Sequence, residues 1–444
     1  PSIPDRPPFA LRARILTPLG DGGIADQPDG LLVVGAHGGI EWVGDAADAG
    51  DRLARAVDLR PLVLLPGLVD LHAHLPQLPN AGLGFGTDLL AWLERYIFPL
   101  EDESRDPIAA RTLADAAVRA FAAVGTTTVV AYTAVFKASA DAAFEAAEAH
   151  GIRAILGEVM MDRLTYDRTV DPTTILDRSL RETAELIERW HGAADGRLGY
   201  AVTPRFAVSC SGDLLRESAT LAAQTGTWWQ THVSEDPKEI AEVRVLFPEA
   251  ADYVDVYERA GGLGERAILA HAVHLSDREL ARLVETRSRV AHCPSSNLFL
   301  DSGVMPLSRY LEAGLAIGLG TDVAGGPDVS LFAVMRAGAY SQAARRTLLG
   351  EHRPLLGPLD WLRLATLDGA RALGLGDRIG SLEAGKEADV IALDSRVTDP
   401  LLRDIDASEP PSETSDLVSR LIFRGQPSMV RAAWVRGRRL EGPA

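Results

Sequence analysis

The residues equipped for joint chemistry are histidines and acids standing at the ends of apolar runs. Asp70-Leu71-His72-Ala73-His74 closes the run that begins at Val63. Side chains alternate along a strand, so His72 and His74 project from one face. Two imidazoles on one face make half a metal site, although the pair by itself reads equally well as satisfied polar residues of a core. Three further strand ends decide between these readings: Thr231-His232, Ala270-His271 and Thr321-Asp322. Imidazoles with a carboxylate suit Zn2+ or Fe2+. Such a cation lowers the pKa of bound water to about 7, so the set points to hydrolysis. The two cysteines, Cys210 and Cys293, can build neither a disulfide framework nor a thiolate cluster and read as buried thiols.

Residues so far apart in sequence need a scaffold that gathers strand ends. From residue 62 onward, strand-length apolar runs alternate with helix-length amphipathic segments. Strands are expected at Val63–Leu71, Thr126–Thr133, Arg153–Val159, Leu198–Thr203, Thr227–His232, Ala267–His271, Arg289–His292 and Leu315–Thr321. Helices are expected between them, including Ala110–Val124, Ser139–His150, Leu176–Trp190 and Ser276–Glu285. In Leu176–Trp190 the expected apolar stripe is Leu176, Leu180, Ala184 and Ile187. Eight apolar strands alternating with helices specify an α/β fold, a (β/α)8 TIM-type barrel whose strand ends form the mouth. An open doubly wound sheet would want a Gly-rich phosphate turn after its first strand, and none is present. Residues 8–60 and those after about 375 read as short strands with Gly turns. Both termini are therefore expected to meet in a small β-sandwich domain, 1–62 with 376–444, beside a barrel of 63–375. The polar stretch Ser408–Asp416, with two prolines, reads as a loop.

Composition narrows the partners. Of 444 residues, 46% are hydrophobic and 24% charged, the balance of an ordinary soluble chain. Lys and Arg number 45 against 62 Asp and Glu, a net charge of −17. So acidic a chain is a poor ligand for nucleic-acid backbones but can still take a free nucleobase, which carries no phosphate. The first twenty residues hold no apolar core of a signal peptide, and no apolar run approaches about eighteen residues. No membrane span is expected, and the expected location is the cytoplasm.

Longer motifs carry a resemblance. The run Pro66-Gly-Leu-Val-Asp-Leu-His-Ala-His-Leu-Pro-Gln77, with His232, His271 and Gly318-Leu-Gly-Thr-Asp322, resembles the amidohydrolase superfamily. Leu89-Leu-Ala-Trp-Leu-Glu-Arg-Tyr-Ile-Phe-Pro99, Thr203-Pro-Arg-Phe206, Thr231-His-Val-Ser-Glu235, His292-Cys-Pro-Ser-Ser-Asn297 and Gly320-Thr-Asp-Val-Ala-Gly-Gly326 are similar to the guanine deaminases within it. The resemblance spans about residues 60 to 395. It implies that His72, His74, His232 and Asp322 hold one Zn2+ per chain, with Fe2+ accepted by the same set. Two-metal relatives carry a bridging lysine on the fourth strand, where Leu198–Thr203 has none. The implied catalytic residues are Asp322, taking the proton of the attacking water, His271, hydrogen-bonding that water, and Glu235, which stands three residues after His232 and can protonate a ring nitrogen. The implied reaction is deamination of guanine to xanthine and ammonia in purine catabolism, in a homodimer.

For the substrate, Gln77 can donate and accept toward an amide-like ring edge, and Arg205 can donate to a carbonyl. Phe206 and Trp92 offer faces for stacking. Core packing weighs at least equally for Trp92, and a structural ion pair competes for Arg205. Deaminases of a pterin, an oxidised guanine or a triazine are the alternative reading, and a non-catalytic scaffold that kept the barrel is a second. His37, His150, His191 and His352 read as solvated, His274 ranks behind His271, and His292 is expected to shape the pocket. The Gly-rich stretch 78–86, the early turn at Asp236-Pro237 and the segment Gly325-Gly-Pro-Asp328 depart from the family pattern at the pocket rim.

Overall fold

The computed structural model describes residues 2–167, 170–401 and 410–442. The chain begins with β1 (Phe9–Pro18), β2 (Ile24–Val34), β3 (Ile40–Asp45) and β4 (Ala56–Pro66). The first three form an antiparallel meander, and β4 joins β1 in parallel. At Gly67 the chain crosses into a second sheet. A Cβ at this position would stand 2.0 Å from Thr127 Oγ1, and the Gly67 N–H donates to the Asp389 carbonyl at 2.9 Å. Only glycine lets the two sheets approach so closely here.

The second sheet is the barrel. Its strands are β5 (Leu68–His74), β6 (Thr126–Tyr132), β7 (Arg153–Gly157), the short β8 (Val159–Met160), β9 (Leu198–Pro204), β10 (Trp228–Val233), β11 (Ala267–His271), β12 (Arg289–His292) and β13 (Ala316–Leu319). They pair in parallel from β5 through β6, β7 and β9 to β13, with β8 lying on β9. Beyond the last ladder the ends meet through Asp322 N–H to His72 O at 2.8 Å and His74 N–H to Val323 O at 3.0 Å. Almost every barrel-strand residue is buried, as a parallel sheet wrapped by helices requires. The chain then returns through β14 (Val390–Leu393), β15 (Val430–Val435) and β16 (Arg438–Arg439). These complete a seven-stranded mixed sheet in the order β16-β15-β14-β4-β1-β2-β3. A TIM-type barrel and a separate sheet from both termini are thus present, as the sequence led us to expect.

A buried ion cluster fastens the two sheets together. Arg153, at the start of β7, donates to Glu387 Oε2 at 2.5 Å and to Asp389 Oδ2 at 3.0 Å. Glu387 also receives Arg378 and Arg436.

Three local expectations differ from the structure. The first barrel strand runs Leu68–His74, not Val63–Leu71, because Val63–Pro66 belongs to β4. One apolar run crosses from sheet to sheet, and hydrophobicity alone does not register the change of partner. The helix Pro172–Trp190 buries Ile175, Ser179, Thr183, Leu186, Ile187 and Trp190, leaving Ala184 exposed. The helix is turned by about one residue from the expected stripe, since Trp190 stacks on Phe144 and Thr183 meets the Tyr200 hydroxyl. Of the stretch Ser408–Asp416, residues 408 and 409 lie outside the described residues, and the helix Thr414–Arg424 already begins within it. Among the described residues, no helix is long and apolar enough to cross a membrane.

Candidate active site

The ends of β5 and β10, with the segment after β13, bring His72, His74, His232 and Asp322 to one point. One ligand atom from each lies within 4.8 Å of all the others, and all four residues are buried. His74 Nε2 stands 3.1 Å from His232 Nε2. Asp322 Oδ1 lies 3.1 Å from His72 Nε2 and 3.3 Å from His74 Nε2. Two ligand atoms bound at about 2.1 Å in a tetrahedron stand about 3.4 Å apart, so the spacing suits a zinc-sized ion. The hydrogen bonding agrees. His72 Nε2 is buried without a hydrogen bond among the described residues. His232 Nδ1–H donates to the Arg205 carbonyl at 2.6 Å, which leaves its Nε2 lone pair for a cation. Burial holds His72 and His232 below the usual imidazole range and His74 at about 4, so all three are neutral ligands at pH 7. Burial would raise the Asp322 carboxyl, but the adjacent His72 and His74 imidazoles outweigh it and hold that group well below its usual range.

Backbone geometry aims these groups. Ser234, His271, Ala272 and Asp322 all adopt positive φ, between 48° and 72°. Each non-glycine residue in that region costs about 1–2 kcal/mol, and such strain concentrates where a side chain must be turned into a site. Asp70, beneath, ties the first barrel strand to the last. Its carboxylate accepts the His72 N–H, the Thr321 N–H and the Thr321 hydroxyl.

Glu235 and His271 stand beside the ligand group. His271 Nε2 is 3.4 Å from Glu235 Oε2 and 3.8 Å from Asp322 Oδ2. Its Nδ1 is 2.9 Å from Asn297 Oδ1, an acceptor, so the proton sits on Nδ1 and the Nε2 lone pair faces the site. Burial, with Asp322 and Glu239 nearby, pushes the Glu235 carboxyl well above its usual range. That shift favours the protonated form, the state a proton donor needs. Ser302 Oγ donates to Glu235 Oε1 at 3.2 Å, and Ser296 Oγ to Asp322 Oδ2 at 2.5 Å.

A cavity of about 360 Å³, its mouth included, opens above these groups. Of the metal, catalytic and substrate residues expected from the sequence, His74, Gln77, Trp92, Arg205, Phe206, His232, Glu235, His271 and Asp322 line it and His72 does not. Leu89, Leu93 and Leu300 supply apolar wall. Trp92 is buried, and its indole N–H is held by the Leu83 carbonyl at 2.9 Å, so it packs the wall and pins the 81–87 loop. Arg205 makes the ion pair that sequence reasoning weighed against ligand binding, at 2.7 Å to Glu101 Oε2, and also lines the cavity.

Several residues at the site escaped sequence reasoning. Tyr132 ends β6, and its ring lies 4.6–4.9 Å from those of His72, His74 and His232. Its place at a strand end was the available signal. Glu101 opens the acidic run Glu101-Asp102-Glu103, which looks like solvated helix surface, yet Glu101 is 0% exposed. Ser302 carried no signal. His274 lies outside the pocket, with Nε2 on the Ser302 carbonyl at 2.7 Å. His292 is buried but does not line the cavity. His150 is buried on Asp115 rather than solvated. Asp236 is an N-cap, paired with Glu239 in a capping box ahead of Pro237, so the early turn starts a helix.

Barrel, candidate ligand group and cavity are the parts of a hydrolase site, and comparison with known proteins places the chain. The Amidohydrolase family pattern matches residues 63–440, and the chain belongs to that family. It is 39% identical over 416 residues, 92% of each chain, to a probable guanine deaminase of Deinococcus radiodurans. The solved structure of E. coli guanine deaminase superposes with a TM-score of 0.90 at 32% identity, covering 98% of this chain and 100% of that one. The crystal structure of guanine deaminase from C. acetobutylicum, with bound guanine in the active site, superposes at 0.88 and 27% identity, covering 97% and 99%.

Proposed function

We propose that this chain catalyses the zinc-dependent hydrolytic deamination of guanine to xanthine and ammonia, a step of purine catabolism. The observation that carries the reading is the meeting of three imidazoles, one aspartate and a buried glutamate at one pocket. His72, His74, His232 and Asp322 would hold the ion. When bound, it supplies a Lewis acid that makes water nucleophilic near neutral pH.

The chain's own groups do the rest. Asp322 takes the proton of the attacking water, held in place by Ser296 on Oδ2. His271 accepts that water's second hydrogen at Nε2 and so aims the lone pair at the ring. As charge builds on the ring nitrogen beside the carbon bearing the amine, Glu235 delivers its proton there. Asp322 then passes the proton it took from water to the amine, which leaves as ammonia, while the hydroxyl left on the ring carbon gives its proton to the Glu235 carboxylate and becomes the carbonyl. Gln77 and Arg205 meet the lactam edge of the base, while Phe206 and the apolar wall cover its faces.

Ammonia release, measured over guanine, pterins, oxidised guanine and triazines, tests the substrate. Guanine is expected to be the best; a panel in which guanine is inert while another base turns over refutes the choice. Metal analysis of the purified chain is expected to find about one equivalent of zinc or iron, and two equivalents contradict the single-ion site. By the same resemblance we propose a cytoplasmic homodimer, for which sedimentation should give twice the 47.5 kDa chain mass.

A further inference from the structure

Beneath the pocket one carboxylate joins two pocket residues by hydrogen bonds that the proposed mechanism does not use. Glu101 is fully buried. Its Oε1 accepts from Gln77 Nε2 at 2.7 Å, and its Oε2 from Arg205 at 2.7 Å. Phe98 lies under the guanidinium, with the Arg205 cation 5.4 Å from the ring centroid. A carboxylate paired with arginine can only accept hydrogen bonds. It therefore dictates which end of the Gln77 amide faces it. The NH2 group must point at Glu101, and the carbonyl Oε1, which takes no partner among the described residues, is the end left for a ligand. Without Glu101 that amide could turn over at little cost, because its two ends have nearly the same shape. Arg205, anchored through one nitrogen, keeps donors for the cavity.

We infer that Glu101 is a positioning residue that sets the hydrogen-bond polarity of the substrate pocket, with an acceptor at Gln77 beside a donor at Arg205. That pair selects a ring edge carrying N–H next to C=O, the lactam edge of guanine. It opposes the reversed edge of 2,6-diaminopurine, which shows a bare ring nitrogen next to an amine. Leaving a buried polar pair mismatched is what makes such discrimination steep. The inference rests on the deaminase reading.

An exchange of the two groups tests it. In Glu101→Gln the new amide offers only one acceptor. If Arg205 keeps it, the other end is a donor, and Gln77 must turn its carbonyl inward and its NH2 into the pocket. This variant is expected to lose about 100-fold in kcat/KM for guanine, chiefly through KM, while retaining its zinc. The ratio of guanine to 2,6-diaminopurine kcat/KM should fall with it. Adding Gln77→Glu restores an acceptor toward the ligand and conserves charge, so the double variant should regain at least tenfold and the lost discrimination. A structural role alone would not be rescued by placing the carboxylate at the other position. A double variant that folds and binds zinc yet is no better than Glu101→Gln overturns the inference, as does a Glu101→Gln enzyme with unchanged discrimination.

Should either variant fail to fold, the wild-type enzyme still decides. Guanine methylated at the lactam nitrogen lacks the donor that Gln77 Oε1 would take and should lose at least tenfold in kcat/KM; equal turnover overturns the assigned polarity. A wild-type enzyme inactive on guanine refutes the deaminase reading itself, whereas a guanine-active enzyme that fails the exchange refutes only the role of Glu101.

Discussion

The surroundings of the ionisable side chains at the site bias their protonation in different directions. Burial favours the neutral forms of His72, His74, His232 and Glu235, and the histidines beside Asp322 favour its ionised form. A proton donor and a proton acceptor thus stand 3.4 and 3.8 Å from the same His271 nitrogen, the arrangement that proton transfer in both directions requires. Replacing Glu235 with glutamine preserves shape and removes the transferable proton. The variant should keep its zinc and lose at least about 100-fold in kcat, the usual scale of general acid catalysis. Near-normal rates would remove Glu235 from proton transfer. His271→Ala should likewise hold its metal, because His271 is outside the ligand group, and lose turnover; a metal-free preparation would reassign it as a ligand.

At the scale of elements, the site depends on how strand ends and loops are braced. Helix Leu89–Trp92, continued by the π-helical turn Leu93–Ile97 and by Phe98–Asp102, carries Trp92 and Leu93 to the cavity and Glu101 beneath it. A π-helical turn adds a residue to the winding and rotates the next turn about the helix axis, which is why such turns recur at functional sites. The loop before this helix is pinned where Gly84 lies against Trp92. Gly84 has φ +89°, and a Cβ there would stand 2.6 Å from Trp92 Cδ1 and 2.9 Å from the Tyr96 ring. Gly84→Ala is expected to displace Trp92 and raise KM severalfold, with kcat and melting temperature changed far less. An unaltered KM would show that the loop plays no part in holding substrate.

At the scale of the molecule, the terminal sheet is locked to the base of the barrel, the end away from the site. Arg153 is 2% exposed and bridges to Glu387 and Asp389 across the two sheets. Removing one partner of a buried ion cluster leaves uncompensated charge, so Arg153→Met should cost about 3–5 kcal/mol in denaturant unfolding; a loss under about 1 kcal/mol would mean the cluster holds little together. Burial alone would raise the Glu387 carboxyl, but Arg436, Arg153 and Arg378 outweigh it and hold it at about 2. An unfolded glutamate titrates at about 4.3. Its folded pKa is depressed, so its contribution to stability is present above about pH 4.3 and disappears as pH falls toward 2. The stability gap between wild type and Glu387→Gln should be constant from about pH 5 to 7 and narrow on acidification, read from unfolding midpoints across that range. A gap that widens in acid would reverse the sign.

The sequence by itself determined the barrel, because eight buried parallel strands must be apolar throughout and their helices must not be. It also determined which residues would gather, because His72, His74, His232 and Asp322 each stand at or just beyond a strand end, and a closed barrel brings all such ends to one mouth. Tertiary structure alone decided where Val63–Leu71 changes sheets, which face of Pro172–Trp190 turns inward, and that Glu101 is buried while its acidic neighbour Glu103 is not. Those outcomes depend on which surface covers a residue. Periodicity along the chain records that some partner exists, while its identity is set by packing between segments tens to hundreds of residues apart.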